Sequence, residues 1–176
     1  RATDGASRAP HAASIILHKP ALSLRFAYAH AAHTIALMGG IGLIALAPGT
    51  FGTLLGFPLH VLFVSYLDPY AHLVPIGALF VLGTWAAGRT SRDLGVPDHG
   101  GIVVDETVAF LLVLFFTPHH GIWQAVAFLL FRLFDIFKPP PIRYFERTIP
   151  GGTGVMFDGV LAAGYTLLTL AACKTI

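Results

Sequence analysis

Residues 71–88 read AHLVPIGALFVLGTWAAG, eighteen positions without one Asp, Glu, Lys or Arg. At 1.5 Å of rise per residue such a run covers about 27 Å as a helix, close to the hydrocarbon thickness of a bilayer. Two more charge-free apolar runs precede it, at 31–47 and 52–67. Beyond it, 102–117 and 121–137 are separated by Pro118-His119-His120, which halts one helix before the next begins, so the pair reads as a helical hairpin. A last apolar helix, 155–172, follows the turn Pro150-Gly151-Gly152-Thr153-Gly154. Five helical segments therefore follow the first run at 31–47. The expected fold is all-α: a polytopic membrane helical bundle of about four spanning helices plus a re-entrant or interfacial N-terminal helix.

Composition agrees. Only 11% of the 176 residues are charged and 55% are hydrophobic, whereas soluble domains carry roughly 25% charged residues. A net charge of +2 is too small for a nucleic-acid footprint, and the apolar composition points to a bilayer as the expected surrounding. The single Cys173, in an apolar run, excludes an intrachain disulfide framework and a Cys cluster for zinc. Residues 1–25 read as a separate segment, disordered or lying on anionic lipid through Arg8, Lys19 and Arg25, ahead of a membrane-embedded domain at 26–176. No compact apolar core with a cleavage site is read in 1–20, and the missing initiator Met reads as a trimmed start.

Basic residues set the orientation, because Lys and Arg collect in short cytoplasmic loops. Arg89 and Arg92 close the third run, while Lys138, Arg143 and Arg147 follow the hairpin. A hairpin goes out and returns, so both clusters lie on one side, the cytoplasmic one. Traced backwards, 31–47 then starts and finishes on that side. Its Gly39-Gly40-Ile41-Gly42 interruption suits a broken, re-entrant helix sheltered by protein.

Asp105-Glu106, Asp135 and Asp158 each stand in an otherwise apolar helix, where an ionised group is expensive and marks a functional position. Counted from the far-side helix ends, Asp105 is about 20 Å from Pro118, Asp135 about 21 Å from Gly121 and Asp158 about 21 Å from Ala172. Three helices thus put acids at one level, near the cytoplasmic boundary. Four clustered carboxylates cannot all ionise without a cation. Hard oxygen ligands select Mg²⁺ or Ca²⁺, and Mg²⁺ shares its coordination sphere readily with phosphate. The plainer alternative is that each acid pairs with a nearby base, as Asp135 can with Arg132 or Lys138 on its own helix.

Groups suited to phosphate lie around that level: Lys138, Arg143, and the two Gly-rich turns that contain Thr50, Thr53, Gly152 and Thr153. Of nine His, His99 sits beside the acids and is the expected proton donor or base. His119 and His120 lie at the opposite end. Pro139-Pro140-Pro141 stiffens the turn that carries Lys138.

At these residues the chain resembles the phosphatidylglycerophosphatase A family, from about Gly39 onward. The signatures run in order: Ala47-Pro48-Gly49-Thr50-Phe51-Gly52-Thr53; Asp98-His99-Gly100-Gly101-Ile102-Val103-Val104-Asp105-Glu106; Phe131-Arg132-Leu133-Phe134-Asp135-Ile136-Phe137-Lys138-Pro139-Pro140-Pro141-Ile142-Arg143; and Gly151-Gly152-Thr153-Gly154-Val155-Met156-Phe157-Asp158. The resemblance implies a Mg²⁺-dependent enzyme of the bacterial inner membrane that hydrolyses phosphatidylglycerophosphate to phosphatidylglycerol and inorganic phosphate. It implies that Asp105, Glu106, Asp135 and Asp158 are the acidic positions that matter. One departure is visible: the family commonly has two successive acids near the last helix, where this chain has Asp158-Gly159.

On this reading the four acids hold one or two Mg²⁺ ions, Lys138 and Arg143 neutralise phosphate, and water is the nucleophile; a covalent route through Asp105 or Asp135 stays open. Two other classes fit the sequence less well. A CDP-alcohol phosphotransferase would need an Arg shortly after Asp158-Gly159 and two further spaced Asp, which 160–165 do not supply. A small ion or proton transporter would place acids along the whole path, whereas these cluster at one depth.

Overall fold

The computed structural model describes residues 22–174, apart from the side chains of Glu146, Arg147 and Lys174; most of the N-terminal segment, with Arg8 and Lys19, lies outside the described residues. Helices α1 (Leu24–Ala29), α2 (Ala31–Ala36), α3 (Pro48–Tyr66), α4 (Leu73–Leu94), α5 (Val104–Phe116), α6 (Gly121–Phe137), α7 (Ile142–Thr148) and α8 (Gly151–Lys174) carry the fold, with 3₁₀ turns at Met38–Leu43 and Pro69–His72 and no strand among the described residues. The all-α expectation holds.

Three helical stretches are long and apolar enough to cross a membrane, Pro48–Tyr66, Pro69–Leu94 and Gly151–Cys173. The α5–α6 hairpin is shorter, with 13 and 17 residues, or about 20 and 26 Å, so against an expected count of about four spans the structure offers three long helices and a shorter two-helix hairpin. The run at 31–47 is broken where expected. Gly39 and Gly40 take φ of 69° and 105°, a region closed to most side chains, so α2 cannot continue.

Other boundaries moved for physical reasons. The last helix begins at Gly151 rather than at residue 155, because its glycine-rich first turn is packed directly on α4: a Cβ on Gly152 would overlap the Thr84 carbonyl and the backbone of Gly88. Helix α4 runs past Arg89 and Arg92 and stops at Gly95, whose φ of 66° supplies the left-handed cap. Helix α3 begins earlier than the run 52–67, with Pro48 at its first position, where no N–H is needed. Helices α1 and α7 were not expected; Ser23 accepts from the Phe26 N–H and starts α1.

At the centre, α8 packs against α4, α5, α6 and α7, and α5 against α3, α4, α6 and α8. Hydrocarbon offers no hydrophobic drive for helices to associate, so close approach at small residues does the packing. Gly52 lies on Val103, Gly56 on Phe110 and Gly83 on Met156. The fully buried Phe110 and Phe131 fill the α5–α6 side, with ring centroids 5.6 Å apart.

Gly152→Ala is expected to force α4 and α8 apart and cost about 1–3 kcal/mol, read as a lower thermal unfolding temperature in detergent. Gly77→Ala, whose Cβ would meet nothing within 4 Å, is expected to leave that temperature unchanged or raise it through helix propensity.

Candidate functional site

Asp105 and Glu106 occupy the first turn of α5, where the helix dipole favours carboxylates. Thr107 in the same turn donates to the Gly52 carbonyl at 2.7 Å and fixes α5 against α3. Asp105 is 8% exposed; its Oδ1 and the Oε2 of Glu106 are closed off from solvent and have no hydrogen-bond partner. Glu106 extends towards α3, where Gly49 leaves room for its carboxylate: a Cβ on Gly49 would overlap Oε1.

Asp135 lies near the C-terminus of α6, the unfavourable end for an acid. One turn back, Arg132 compensates it, with Nη1 2.5 Å from Asp135 Oδ2, 3.9 Å from Glu106 Oε1 and 3.4 Å from Thr53 Oγ1. Helix α6 ends at Lys138, which adopts φ 44° and ψ 67°. Such a left-handed Lys costs roughly 1–2 kcal/mol. The turn carries its ammonium to Asp158 of α8, with which it forms an ion pair; Asp158 is 7% exposed. Gly159 brings the α8 backbone onto the first turn of α5, since a Cβ there would stand 3.0 Å from Ala109 Cβ and 3.1 Å from the Asp105 carbonyl oxygen. The glycine in place of a second acid is thus a close-packing position.

The acids form one electrostatic group. Asp105 lies within reach of Glu106, Asp135 and Asp98, and Asp135 within reach of Arg132, Lys138 and Asp98. Asp98 also lines a small cavity with Asp158 and with Gly151 and Gly154 of the α8 N-terminus. Among the described residues, Arg132 pairs with Glu106 and Asp135, and Lys138 with Asp158, so these ion pairs join two cations to three of the five carboxylates. No three acids or histidines among the described residues are drawn together as a ready-made metal site. The pairing of Asp135 with Arg132 on its own helix is present, and Lys138, within reach of Asp135, forms an ion pair with Asp158.

The remaining expected residues divide. Thr53 is buried and its hydroxyl is committed, donating to the Gly49 carbonyl at 2.8 Å and facing Arg132. Thr50 is half-buried in the first turn of α3, with its N–H on the Ala47 carbonyl. Gly152 is buried against α4, and Thr153 is exposed on the first turn of α8. His99 accepts the Gly101 N–H at Nδ1, 3.1 Å, and shapes the 98–101 turn. Arg143 is exposed and donates Nη2 to the Phe137 carbonyl at 3.1 Å, closing the end of α6. Two members of the group were not among the expected site residues, Arg132 and Asp98. The signal for Arg132 was a lone base inside an apolar helix one turn from an acid, and for Asp98 its place beside His99.

The family model for phosphatidylglycerophosphatase A matches residues 34–174. The chain belongs to the phosphatidylglycerophosphatase A family. A relative of that name in Haemophilus influenzae is 44% identical over 144 residues, covering 81% of this chain and 88% of its own. Another of the same name, in Escherichia coli, is 36% identical over 154 residues, covering 84% and 88%. No solved structure matches the chain. All four quoted signatures fall within the family match or on its site elements, and they are the segments that carry Gly49, Asp98, Asp105, Glu106, Arg132, Asp135, Lys138 and Asp158.

Removing one partner of a buried ion pair costs about 3–5 kcal/mol, because the other charge is left uncompensated. Lys138→Met is accordingly expected to destabilise the bundle markedly, and the Lys138→Met, Asp158→Leu double variant to regain most of the loss in the same unfolding measurement.

Proposed function

We propose that this chain hydrolyses the terminal phosphomonoester of phosphatidylglycerophosphate, releasing phosphatidylglycerol and inorganic phosphate, at the cytoplasmic face of a bacterial inner membrane with Mg²⁺ as cofactor. The observation that carries the reading is the convergence of acids from α5, α6 and α8 and the turn before α5, with Asp105 Oδ1 and Glu106 Oε2 buried without a hydrogen-bond partner. Family membership and the relatives' names support the substrate. Arg89, Arg92, Lys138 and Arg143 at the same end of the bundle support the cytoplasmic orientation.

The donor set fits a hard divalent cation: carboxylate oxygens only, two of them buried without a partner. Asp105, Glu106, Asp135 and Asp158 are the residues that would hold it, with Asp98 at the edge. Bound there, Mg²⁺ would neutralise phosphate charge and lower the pKa of a water. The chain supplies the rest. Lys138, pinned by its left-handed turn, stands by Asp158 and neutralises phosphate charge. The first-turn N–H groups of α8 at Gly152 and Thr153, a helix of 24 residues, add a positive dipole end beside the cavity shared by Asp98 and Asp158. Asp105 or Asp135 takes a proton from the attacking water while the phosphorus–oxygen bond to glycerol breaks. His99 donates a hydrogen bond from Nε2, the nitrogen left protonated when Nδ1 accepts from Gly101, to the departing oxygen, which takes its proton from water at the cytoplasmic face. Burial of the acids keeps bulk water from competing.

Phosphate release from phosphatidylglycerophosphate in mixed micelles is expected to require Mg²⁺ and to stop with a chelator. Asp105→Asn is expected to lower kcat/KM by about a hundredfold or more, equivalent to ~3 kcal/mol of transition-state stabilisation. Metal-independent release, or an Asp105→Asn enzyme as active as the parent, contradicts the assignment.

A further inference from the structure

Arg132 is a guanidinium used on one nitrogen only. Its contacts to Asp135, Glu106 and Thr53 all run through Nη1, while Nε is closed off from solvent and has no acceptor in the protein. A buried donor without an acceptor in the protein is a place for an outside acceptor, a water or a ligand oxygen. The edge of a guanidinium formed by Nε and one terminal nitrogen is the fork that binds two oxygens of a phosphate at once, a geometry that Lys cannot supply. Of the other bases near the acids, Arg143 is exposed, with Nη2 on the Phe137 carbonyl, and Lys138 is paired with Asp158.

The surroundings hold that fork in place. The Thr53 hydroxyl donates to Gly49 and leaves its lone pair towards Nη1. A Cβ on Gly49 would stand 3.3 Å from Arg132 Nη1 as well as overlapping the Glu106 carboxylate. The motif Ala47–Thr53, read from sequence as a phosphate loop, therefore supports the arginine and leaves phosphate contact to it.

We propose that Arg132 binds the terminal phosphate of the substrate through its unoccupied edge, with Thr53 and Gly49 as positioning residues for it and for Glu106. This rests on the phosphomonoesterase reading above, and its test uses a probe that does not depend on turnover. Inorganic phosphate is titrated calorimetrically into the purified full chain with Mg²⁺ present, alongside kinetics on phosphatidylglycerophosphate. Arg132→Lys keeps the charge beside Asp135 and loses the fork; it is expected to weaken phosphate binding at least tenfold and lower kcat/KM about a hundredfold. Thr53→Val is expected to lower kcat/KM about tenfold, with Thr53→Ser restoring it, and Arg143→Gln to bind phosphate as the parent does. Should Arg132→Lys not fold, the Thr53 pair and Arg143→Gln still decide. Unchanged phosphate affinity in Arg132→Lys, or a loss in Arg143→Gln with Thr53→Val unaffected, overturns the proposal. A parent chain that binds phosphate through Arg132 yet leaves phosphatidylglycerophosphate intact would count against the substrate reading alone.

Discussion

Everything in this structure answers to one constraint: carboxylates gathered at one end of an apolar bundle must be neutralised. An acid in a low-dielectric surrounding is tolerated only when paired or when a cation completes it. Arg132 and Lys138 meet part of that need, Arg132 on Asp135 and Glu106 and Lys138 on Asp158, both from the C-terminal end of α6. Their placement explains features that otherwise look unrelated. The left-handed backbone of Lys138 turns its ammonium onto α8, and the glycine at 49 gives Glu106 the space to face Arg132.

The packing serves the same end. Helices α5 and α8 approach through Gly159, which sets the first turn of α5 against the turn of α8 that bears Asp158. Helices α4 and α8 approach through Gly88 and Gly152, which fixes where α8 begins and how its first-turn N–H groups lie relative to the acids. Small residues let backbones meet where hydrocarbon gives no other reason to associate. The geometry of the site is thus inherited from a few glycine contacts rather than from the long apolar faces, most of which are exposed towards lipid.

Much of this was legible in the chain. Helical rise is constant, so counting from the far end of each apolar run brought Asp105, Asp135 and Asp158 to one level before any coordinates. The glycine interruption at 39–42 foretold the break after α2 for an equally local reason. Tertiary effects were not readable. The segment Gly151-Gly152-Thr153-Gly154 has loop propensities, and only its contact with α4 makes it the first turn of a helix. Thr53 and Arg143 have phosphate-binding chemistry, while the contacts of the Thr53 hydroxyl with Gly49 and of Arg143 Nη2 with Phe137 come from the structure alone. Arg132 was visible as a partner for Asp135, while its contacts to Glu106 and Thr53 depend on how α3, α5 and α6 meet.

The central claim, that acids from separate helices share a divalent cation, is tested most directly by anomalous diffraction from crystals grown with Mn²⁺ in place of Mg²⁺. The account predicts anomalous density bounded by Asp105, Glu106, Asp135 and Asp158, with the Asp105 Oδ1 and Glu106 Oε2 atoms turned to it. Ordered side chains in that position with no anomalous density, and the metal bound elsewhere on the chain, would contradict it.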